Sequence, residues 1–160
     1  MSGAFDRVCR ERLLKKLHNT GLHPQLLKVF EAWLTERIAY VVVHGERSNP
    51  MTLVDMIFQG SVLGPTLWNI FYADCVRPVQ KNCFTESISA DDLNCLKEFA
   101  RGIGPSYVLR QIQDCQKEVR EWGHANRVTF DPAKEHSLIL DPQHPHGEFF
   151  EILGLQFDTK

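Results

Sequence analysis

Two adjacent carboxylates, Asp91 and Asp92, stand in the middle of an apolar stretch, SISADDLNCL at residues 87–96. The apolar residues on either side predict two strands with buried positions. Buried carboxylates are unfavourable unless a partner or a cation neutralises them. The stretch is therefore expected to fold as a hairpin with the aspartates at the turn. There they are either solvated, as aspartate commonly is in turns, or bound to a divalent cation.

Helical periodicity marks four segments, in which apolar residues recur every three or four positions. Amphipathic helices are predicted at residues 7–19, from Pro24, from Pro65 and at residues 105–122. Gly21 and Gly123 are expected to end the first and last helices, because glycine adopts the left-handed conformation found just after a helix. Pro78 is expected to end the third, because proline lacks the backbone donor that a helix interior needs.

Strand patterns occupy the segments between the helices. Residues 38–58 have the pattern of a hairpin closed by a glycine-containing turn, and residues 83–99 that of two strands around the double aspartate. HSLIL (136–140) and FFEILGLQF (149–157) are the last predicted strands. Helices interleaved with hairpins predict an α+β fold with a mostly antiparallel sheet.

Length, composition and charge indicate which classes of protein this sequence can belong to. The 160 residues suffice for one domain, 43% of them are apolar, and no apolar run is long enough to span a membrane. Five cysteines without a C-x-x-C pair predict reduced thiols inside the cell, in nucleus or cytoplasm, with neither a zinc site nor a disulfide framework. A net charge of −2 argues against an independent nucleic-acid binder, for which a basic excess is expected.

Three further segments accompany the double aspartate in a specific order. FQGSVLGPTLWNIFYAD (58–74), SADD (89–92), VTFDPAKEHSLIL (128–140) and FEILGLQFD (150–158) resemble, in order and spacing, successive palm motifs of reverse transcriptases of the non-LTR retrotransposon (LINE-like) type. GAFDRVCRERLLKKL at the start resembles the end of the first palm motif and the helix after it. The resemblance implies one partial palm domain over residues 1–160, an antiparallel sheet packed on helices with a ferredoxin-like core.

The resemblance also implies RNA-directed DNA synthesis by two-metal nucleotidyl transfer. Asp91 matches the carboxylate that binds both Mg²⁺ ions, and Asp92 matches its neighbour, which has a lesser or second ligand role. Lys134 matches a lysine that faces the triphosphate, whereas taken alone it would be an exposed loop lysine. The implied partners are an RNA template, a DNA primer and deoxynucleoside triphosphates, with no membrane and an unknown oligomeric state.

Three more residues match nucleotide-binding positions of the family. Phe5 matches the bulky residue under the sugar that excludes a 2′-hydroxyl, although it would also suit a core position. Gln59 and Gly60 match the loop that contacts the incoming nucleotide and the template, where glycine permits close backbone approach and glutamine offers both donor and acceptor. ILGL (152–155) matches the hairpin that supports the primer end and would serve equally well as a core strand.

The first palm motif is expected to be incomplete in this chain. Ala4, Phe5 and Asp6 match its end, and its metal-binding aspartate would fall one residue before Met1. Asp6 is not expected to substitute, because side-chain direction in a strand is fixed by the two-residue period. We therefore expect the first catalytic strand, the fingers and the thumb to be missing, and the 160 residues alone to have negligible polymerase activity. Whether the chain is itself an enzyme stays open.

Other functions fit the sequence less well. A decayed or exapted palm that binds RNA or protein is the alternative, favoured by the incomplete first motif, the net negative charge and Ser89, which stands where the family usually has an aromatic residue. A serine hydrolase built on Ser61 is disfavoured, because QGSVLG is not the G-x-S-x-G nucleophile motif. His144 and His146 flank a proline and are interpreted as part of a solvated turn.

Overall fold

The computed structural model of the chain describes residues 5–35 and 37–137, together with the backbone of two short strands near the C-terminus. These residues divide into two compact units. The first, which we call the helical unit, contains the described residues up to Cys75 and Ala125–Val128. The second, the hairpin unit, contains Val76–His124 and the described residues from Thr129 onward.

Three helices dominate the helical unit: α1 (Arg10–Asn19), α2 (Pro24–Leu34) and α3 (Gly64–Tyr72). They confirm the first three predicted helices, and α1 packs against both of the others. Gly21 follows α1 with a φ of 79°, the left-handed conformation expected at a helix end. Each of the other two helices has a proline in its first turn, where backbone N–H groups have no partner within the helix.

The core of the helical unit is apolar and strongly aromatic. Its fully buried side chains include Val8, Leu13, Leu17, Leu34, Ile57, Leu67, Trp68, Phe71 and Tyr72. The Trp68 ring stacks on Tyr72 with 5.1 Å between centroids, and its centroid lies 6.0 Å from that of Phe71. Because aromatic side chains bury large areas, this cluster supplies much of the packing energy that holds α3 in place.

A half-buried cation links α1 to the end of α3. The Lys16 ammonium donates hydrogen bonds to the Phe71 carbonyl and to Asp74 Oδ1, the latter at 2.6 Å. It also lies 4.6 Å from the centroid of the Phe71 ring. Burial lowers the pKa of Lys16, and the hydrogen bond and charge of Asp74 oppose that shift. Lys16 therefore joins two helices through three contacts at once.

Four short strands connect α2 to α3. In chain order they are β1 (Arg37–Ala39), β2 (Val42–Val43), β3 (Glu46–Arg47) and β4 (Met51–Leu53). β1 pairs with β4 and β2 with β3, both antiparallel. His44 and Gly45 join β2 to β3 with φ values of 51° and 87°, as a type I′ hairpin turn requires. The hairpin predicted at residues 38–58 is thus confirmed, although its last strand ends at Leu53.

The hairpin unit is built mainly from two helices and an antiparallel strand pair. These are α4 (Val76–Lys81), β5 (Thr85–Ser89), β6 (Asp92–Leu96) and α5 (Pro105–Asn126), the last of which belongs to this unit up to His124. The β5–β6 ladder runs in register from Thr85 opposite Leu96 to Ser89 opposite Asp92, which confirms the predicted hairpin. Val79, Phe84, Cys115 and Val119 are buried and form a small core.

Two predicted helix ends are wrong. Pro78 lies inside α4 as its third residue, where a missing backbone donor costs little because first-turn donors lack helical partners. The third helix, α3, already ends at Tyr72. Gly123 lies within α5, which continues to Asn126. The left-handed residue that follows α5 is Arg127, with a φ of 59°, so a non-glycine residue occupies the terminating position.

The described strands support the predicted fold class. β7 (Glu151–Ile152) and β8 (Leu155–Gln156) pair antiparallel around the predicted ILGL hairpin. Every strand pair in the described part of the chain is antiparallel, in ladders of two strands each, so the α+β class is confirmed. Most of the strand predicted at residues 136–140, together with His144 and His146, lies outside the described residues. None of the described helices is long and apolar enough to cross a membrane.

Candidate functional site

The double aspartate lies at the tip of the β5–β6 hairpin, as predicted. Ser89 is the last residue of β5 and pairs with Asp92, the first residue of β6, so Ala90 and Asp91 form a two-residue loop. Ala90 has a φ of 56°, in the left-handed region that favours glycine. The tight loop therefore holds two consecutive carboxylates at one end of a strand pair.

The hairpin is more exposed than its apolar sequence predicts. Ile88 and Leu96 retain 37% and 60% of their accessible surface, and the Cys95 side chain is also exposed. Asp92 is exposed and Asp91 half-buried. Burial of Asp92 therefore gives no reason to expect a cation at this turn, because that side chain is exposed. A cation at this turn has to be argued from the oxygen donors themselves.

The donor set of the turn consists of hard carboxylate oxygens. Mg²⁺ prefers such oxygens and binds through one or two carboxylates, with water and substrate phosphates as its other ligands. Asp91 and Asp92 fit this pattern, and the exposure of Asp92 leaves room there for water and phosphate. Within the described residues, no group of three or more histidine, cysteine, aspartate or glutamate side chains could hold a metal. The hairpin thus offers an open, two-carboxylate site.

Lys134 is the other candidate residue of the hairpin unit. It is exposed and ends a short 3₁₀ helix, Pro132–Lys134. The Asp131 side chain caps this helix by accepting a hydrogen bond from the Ala133 backbone N–H at 3.1 Å. Glu135, the next residue, forms an ion pair with Arg120 of α5. Lys134 is therefore presented on a short turn that is attached to α5 by its neighbour.

Phe5 and the loop that carries Gln59 and Gly60 lie together in the helical unit. The Phe5 carbonyl accepts a hydrogen bond from the Ile57 backbone N–H at 2.8 Å. The Phe5 ring centroid lies 5.6 Å from that of Trp68, and the side chain is half-buried. The structure therefore brings these three predicted nucleotide-binding residues to one region of this unit.

Glycine is favoured at Gly60 and Gly64 of this loop for different reasons. Gly60 has a φ of 81° and open space around its missing Cβ, so the preference is conformational. At Gly64 an added Cβ would lie 3.0 Å from Ser61 Oγ and 3.2 Å from the Phe58 carbonyl oxygen, so these neighbours would have to shift by a few tenths of an ångström. Ser61 Oγ itself donates to the Phe58 carbonyl at 2.8 Å, which gives this hydroxyl a structural role in the turn.

The sequence did not single out Arg37, which supports the same loop. Arg37 is only 8% exposed, donates from Nη2 to the Met56 carbonyl at 2.8 Å, and lies 4.9 Å from the centroid of the Phe58 ring. Burial and the nearby Arg10 lower its pKa. Its Nε and Nη1 have no hydrogen-bond partner among the described residues. No motif marks an arginine at the start of a β-branched run, so pattern reasoning could not have found it.

Comparison with known proteins decides the family. A family model described as reverse transcriptase (RNA-dependent DNA polymerase) matches residues 1–157. The chain belongs to this reverse transcriptase family. Reverse transcriptases use divalent metal ions, a nucleic-acid template and nucleotide substrates.

Curated relatives point to non-LTR mobile elements. The chain is 42% identical, over 175 residues, to the RNA-directed DNA polymerase from mobile element jockey of Drosophila melanogaster, an alignment that covers 98% of this chain and 19% of the relative. The jockey polymerase of Drosophila funebris is 42% identical over 136 residues, covering 82% of this chain and 14% of the relative. A probable RNA-directed DNA polymerase from transposon BS of Drosophila melanogaster is 32% identical over 114 residues, covering 64% and 12%. No solved structure matches.

The family and its non-LTR type are therefore confirmed as predicted. The chain spans about a fifth of the length of the first jockey relative and a smaller share of the other two. The matched family region contains every candidate residue named above, in both units of this reverse transcriptase segment.

Proposed function

We propose that residues 1–160 are part of the palm domain of an RNA-directed DNA polymerase of a non-LTR mobile element. The observation that carries this proposal is the position of Asp91 and Asp92 at the tight tip of an antiparallel strand pair, within a chain that matches the reverse transcriptase family over residues 1–157. The substrates would be an RNA template, a DNA primer and deoxynucleoside triphosphates.

In this proposal Asp91 and Asp92 hold Mg²⁺, two ions in the complete polymerase. When bound, Mg²⁺ supplies positive charge against the phosphates of the nucleotide and against the primer 3′-hydroxyl. The two carboxylates would hold the ion at a tight turn, where β5 and β6 are paired up to Ser89 and Asp92. The reaction joins the primer 3′-oxygen to the α-phosphorus and releases pyrophosphate, so the protein acts mainly by positioning and by charge neutralisation.

The remaining candidates receive roles in substrate positioning. Lys134, exposed on its short turn, would donate to the triphosphate and offset its negative charge. Gln59 and Gly60 would contact the nucleotide and the template. Phe5 would lie against the sugar, where a bulky ring excludes a 2′-hydroxyl. The hydrogen bond from the Ile57 backbone N–H to the Phe5 carbonyl supports this assignment. It links the backbone of Phe5 to the loop that carries Gln59 and Gly60.

The test is RNA-templated primer extension by a chimeric polymerase. Residues 1–157 of this chain replace the matching segment of the Drosophila melanogaster jockey polymerase, and Mg²⁺-dependent extension is measured. Asp91→Asn is expected to reduce extension roughly 100-fold or more, since the metal supplies several kcal/mol of charge stabilisation. Asp114→Asn, an exposed aspartate on α5 of the same unit, is the matched control and should leave extension unchanged.

Two outcomes would contradict the proposal. Extension that survives Asp91→Asn would mean that the hairpin is not the metal site. A folded chimera without extension, together with RNA or protein binding by the 160-residue chain that does not need Asp91, would favour the exapted palm. The observation that favours an exapted, non-catalytic palm is the net charge of −2.

A further inference from the structure

Two cysteines of the hairpin unit lie on facing surfaces of different elements. Cys95 is in β6, and Lys97 is the first residue after that strand. Residues two apart in an extended chain point to the same side, so Cys95 and Lys97 share one side of it. Gln111 and Cys115 are four apart on α5, and such residues share one face of a helix. The periodicities therefore place each cysteine beside one polar neighbour on the same face.

The polar neighbours bring those two faces together. Lys97 Nζ donates to Gln111 Oε1 at 2.8 Å and to the Asn82 carbonyl, also at 2.8 Å. The Lys97 ammonium is held further by the rings of Phe84 and Phe99, whose centroids lie 4.9 Å and 5.6 Å away. The side of the chain that carries Cys95 is thereby fixed against the face of α5 that carries Cys115.

This placement allows the two thiols to interact. The Cys95 thiol lies close enough to the Cys115 thiol to hydrogen-bond with it. The two differ in access: Cys95 is exposed, whereas Cys115 is only 4% exposed. The hydrogen bond from Cys95 lowers the pKa of Cys115 against the opposing effect of burial, and the positive charge of Lys97 contributes to the lowering. A lower pKa raises the fraction of thiolate, the nucleophilic form of cysteine.

We propose that Cys95 and Cys115 are a redox-sensitive pair that a hydroperoxide oxidises to a disulfide between β6 and α5. With hydrogen peroxide, the exposed Cys95 thiol loses its proton and its sulfur attacks one peroxide oxygen. The O–O bond breaks, and the released hydroxide takes up that proton to form water. The resulting Cys95 sulfenic acid is then attacked by the Cys115 thiolate, which forms the S–S bond and releases a second water. Two electrons pass from the sulfur atoms to the peroxide, and the two thiol protons leave in the water formed.

A disulfide between Cys95 and Cys115 would also affect the strand that carries the double aspartate. Cys95 is three residues from Asp92 on the same short strand, so a covalent link to α5 would restrain the strand that carries the double aspartate. An effect on polymerase activity rests on the proposed function. Formation of the disulfide does not, so the two can fail separately.

The experiment oxidises the folded 160-residue chain with hydrogen peroxide, blocks remaining thiols with an alkylating reagent and digests the product with a glutamate-specific protease. Cleavage after Glu86, Glu98 and Glu118 places Cys95 and Cys115 in separate peptides, residues 87–98 and 99–118, and leaves Cys83 in a third. Mass spectrometry is expected to find residues 87–98 linked to 99–118 as the main cross-linked product, and reduction should separate them.

Variants and a denatured control make the result decisive. Cys95→Ser should abolish the cross-link, whereas Cys83→Ser, at another exposed cysteine of the same unit, should leave its yield unchanged. In urea the preference for this pair should disappear, since it depends on folded contacts. Independent alkylation of Cys95 and Cys115 after oxidation of the folded chain would overturn the proposal. Equal linkage of Cys115 to Cys83 would overturn it as well.

Discussion

Lys16 shows how a single residue can hold this structure together. A lysine is among the residues least often buried, yet here its side chain is only 15% exposed. Its ammonium is satisfied by one carbonyl, one carboxylate and one aromatic face, all from α3 or the turn that follows it. Helical periodicity places Lys16 near the boundary of the apolar face of α1, but only the packed structure shows which partners receive its charge.

Replacing this lysine tests how much those contacts contribute. Lys16→Met keeps most of the side-chain volume but removes the charge and both hydrogen bonds. We expect a loss of roughly 1–3 kcal/mol in the free energy of unfolding, below the full cost of breaking a buried pair because Asp74 is 32% exposed. Urea denaturation followed by circular dichroism measures this change.

The neighbouring Lys15 provides the control, because it is exposed on the same helix. Lys15→Met should change the free energy of unfolding by no more than about 0.5 kcal/mol, as surface substitutions usually do. If the two substitutions changed the free energy of unfolding equally, the specific contacts of Lys16 would contribute no more to stability than loss of a surface charge does.

At the scale of elements, the loop between β4 and α3 depends on backbone conformation at Gly60. Its positive φ lies where a side chain is disfavoured, although no neighbouring atom would contact an added Cβ. The loop is also held by the hydrogen bond from Ile57 to Phe5 and by the turn that ends in Gly64. Gly60 therefore determines the loop conformation without filling space.

Gly60→Ala is expected to destabilise the chain by about 1–2 kcal/mol, the cost of the left-handed conformation for a residue with a Cβ. Gly60→Asn should lose clearly less, because asparagine tolerates that conformation better than alanine does. Thermal unfolding of the two variants measures the difference. If Asn, the larger side chain, were the more damaging, the requirement at Gly60 would be steric and the backbone argument would be wrong.

The elements themselves were predictable where periodicity was strong. α1, α2, α3 and α5 were predicted because apolar residues recur at helical spacing. The helix ends were not predicted correctly. Proline and glycine end a helix at some positions and are tolerated at others, and Pro78 and Gly123 both lie inside helices. Pro78 falls in the first turn of α4, where it is tolerated. Gly123 lies inside α5, which continues for three more residues to Asn126, a buried residue.

At the scale of the whole molecule, order and spacing of motifs carried more information than any local pattern. They predicted the reverse transcriptase family, which the match over residues 1–157 confirms. Exposure of the β5–β6 hairpin was not predictable, because it depends on what else packs against Ile88 and Leu96, and strand alternation does not specify that. Arg37 was missed for the same reason, since its partners are a distant carbonyl and a ring.

We propose above that the tip of the β5–β6 hairpin binds a divalent cation through Asp91 and Asp92. The most direct test is titration of the isotope-labelled 160-residue chain with Mn²⁺, followed by NMR line broadening of backbone amides. Selective broadening is expected around Ala90, Asp91 and Asp92, and it should be lost in the Asp91→Asn/Asp92→Asn double variant and retained in Asp114→Asn. Broadening that spares this turn, or that persists unchanged in the double variant, would contradict it.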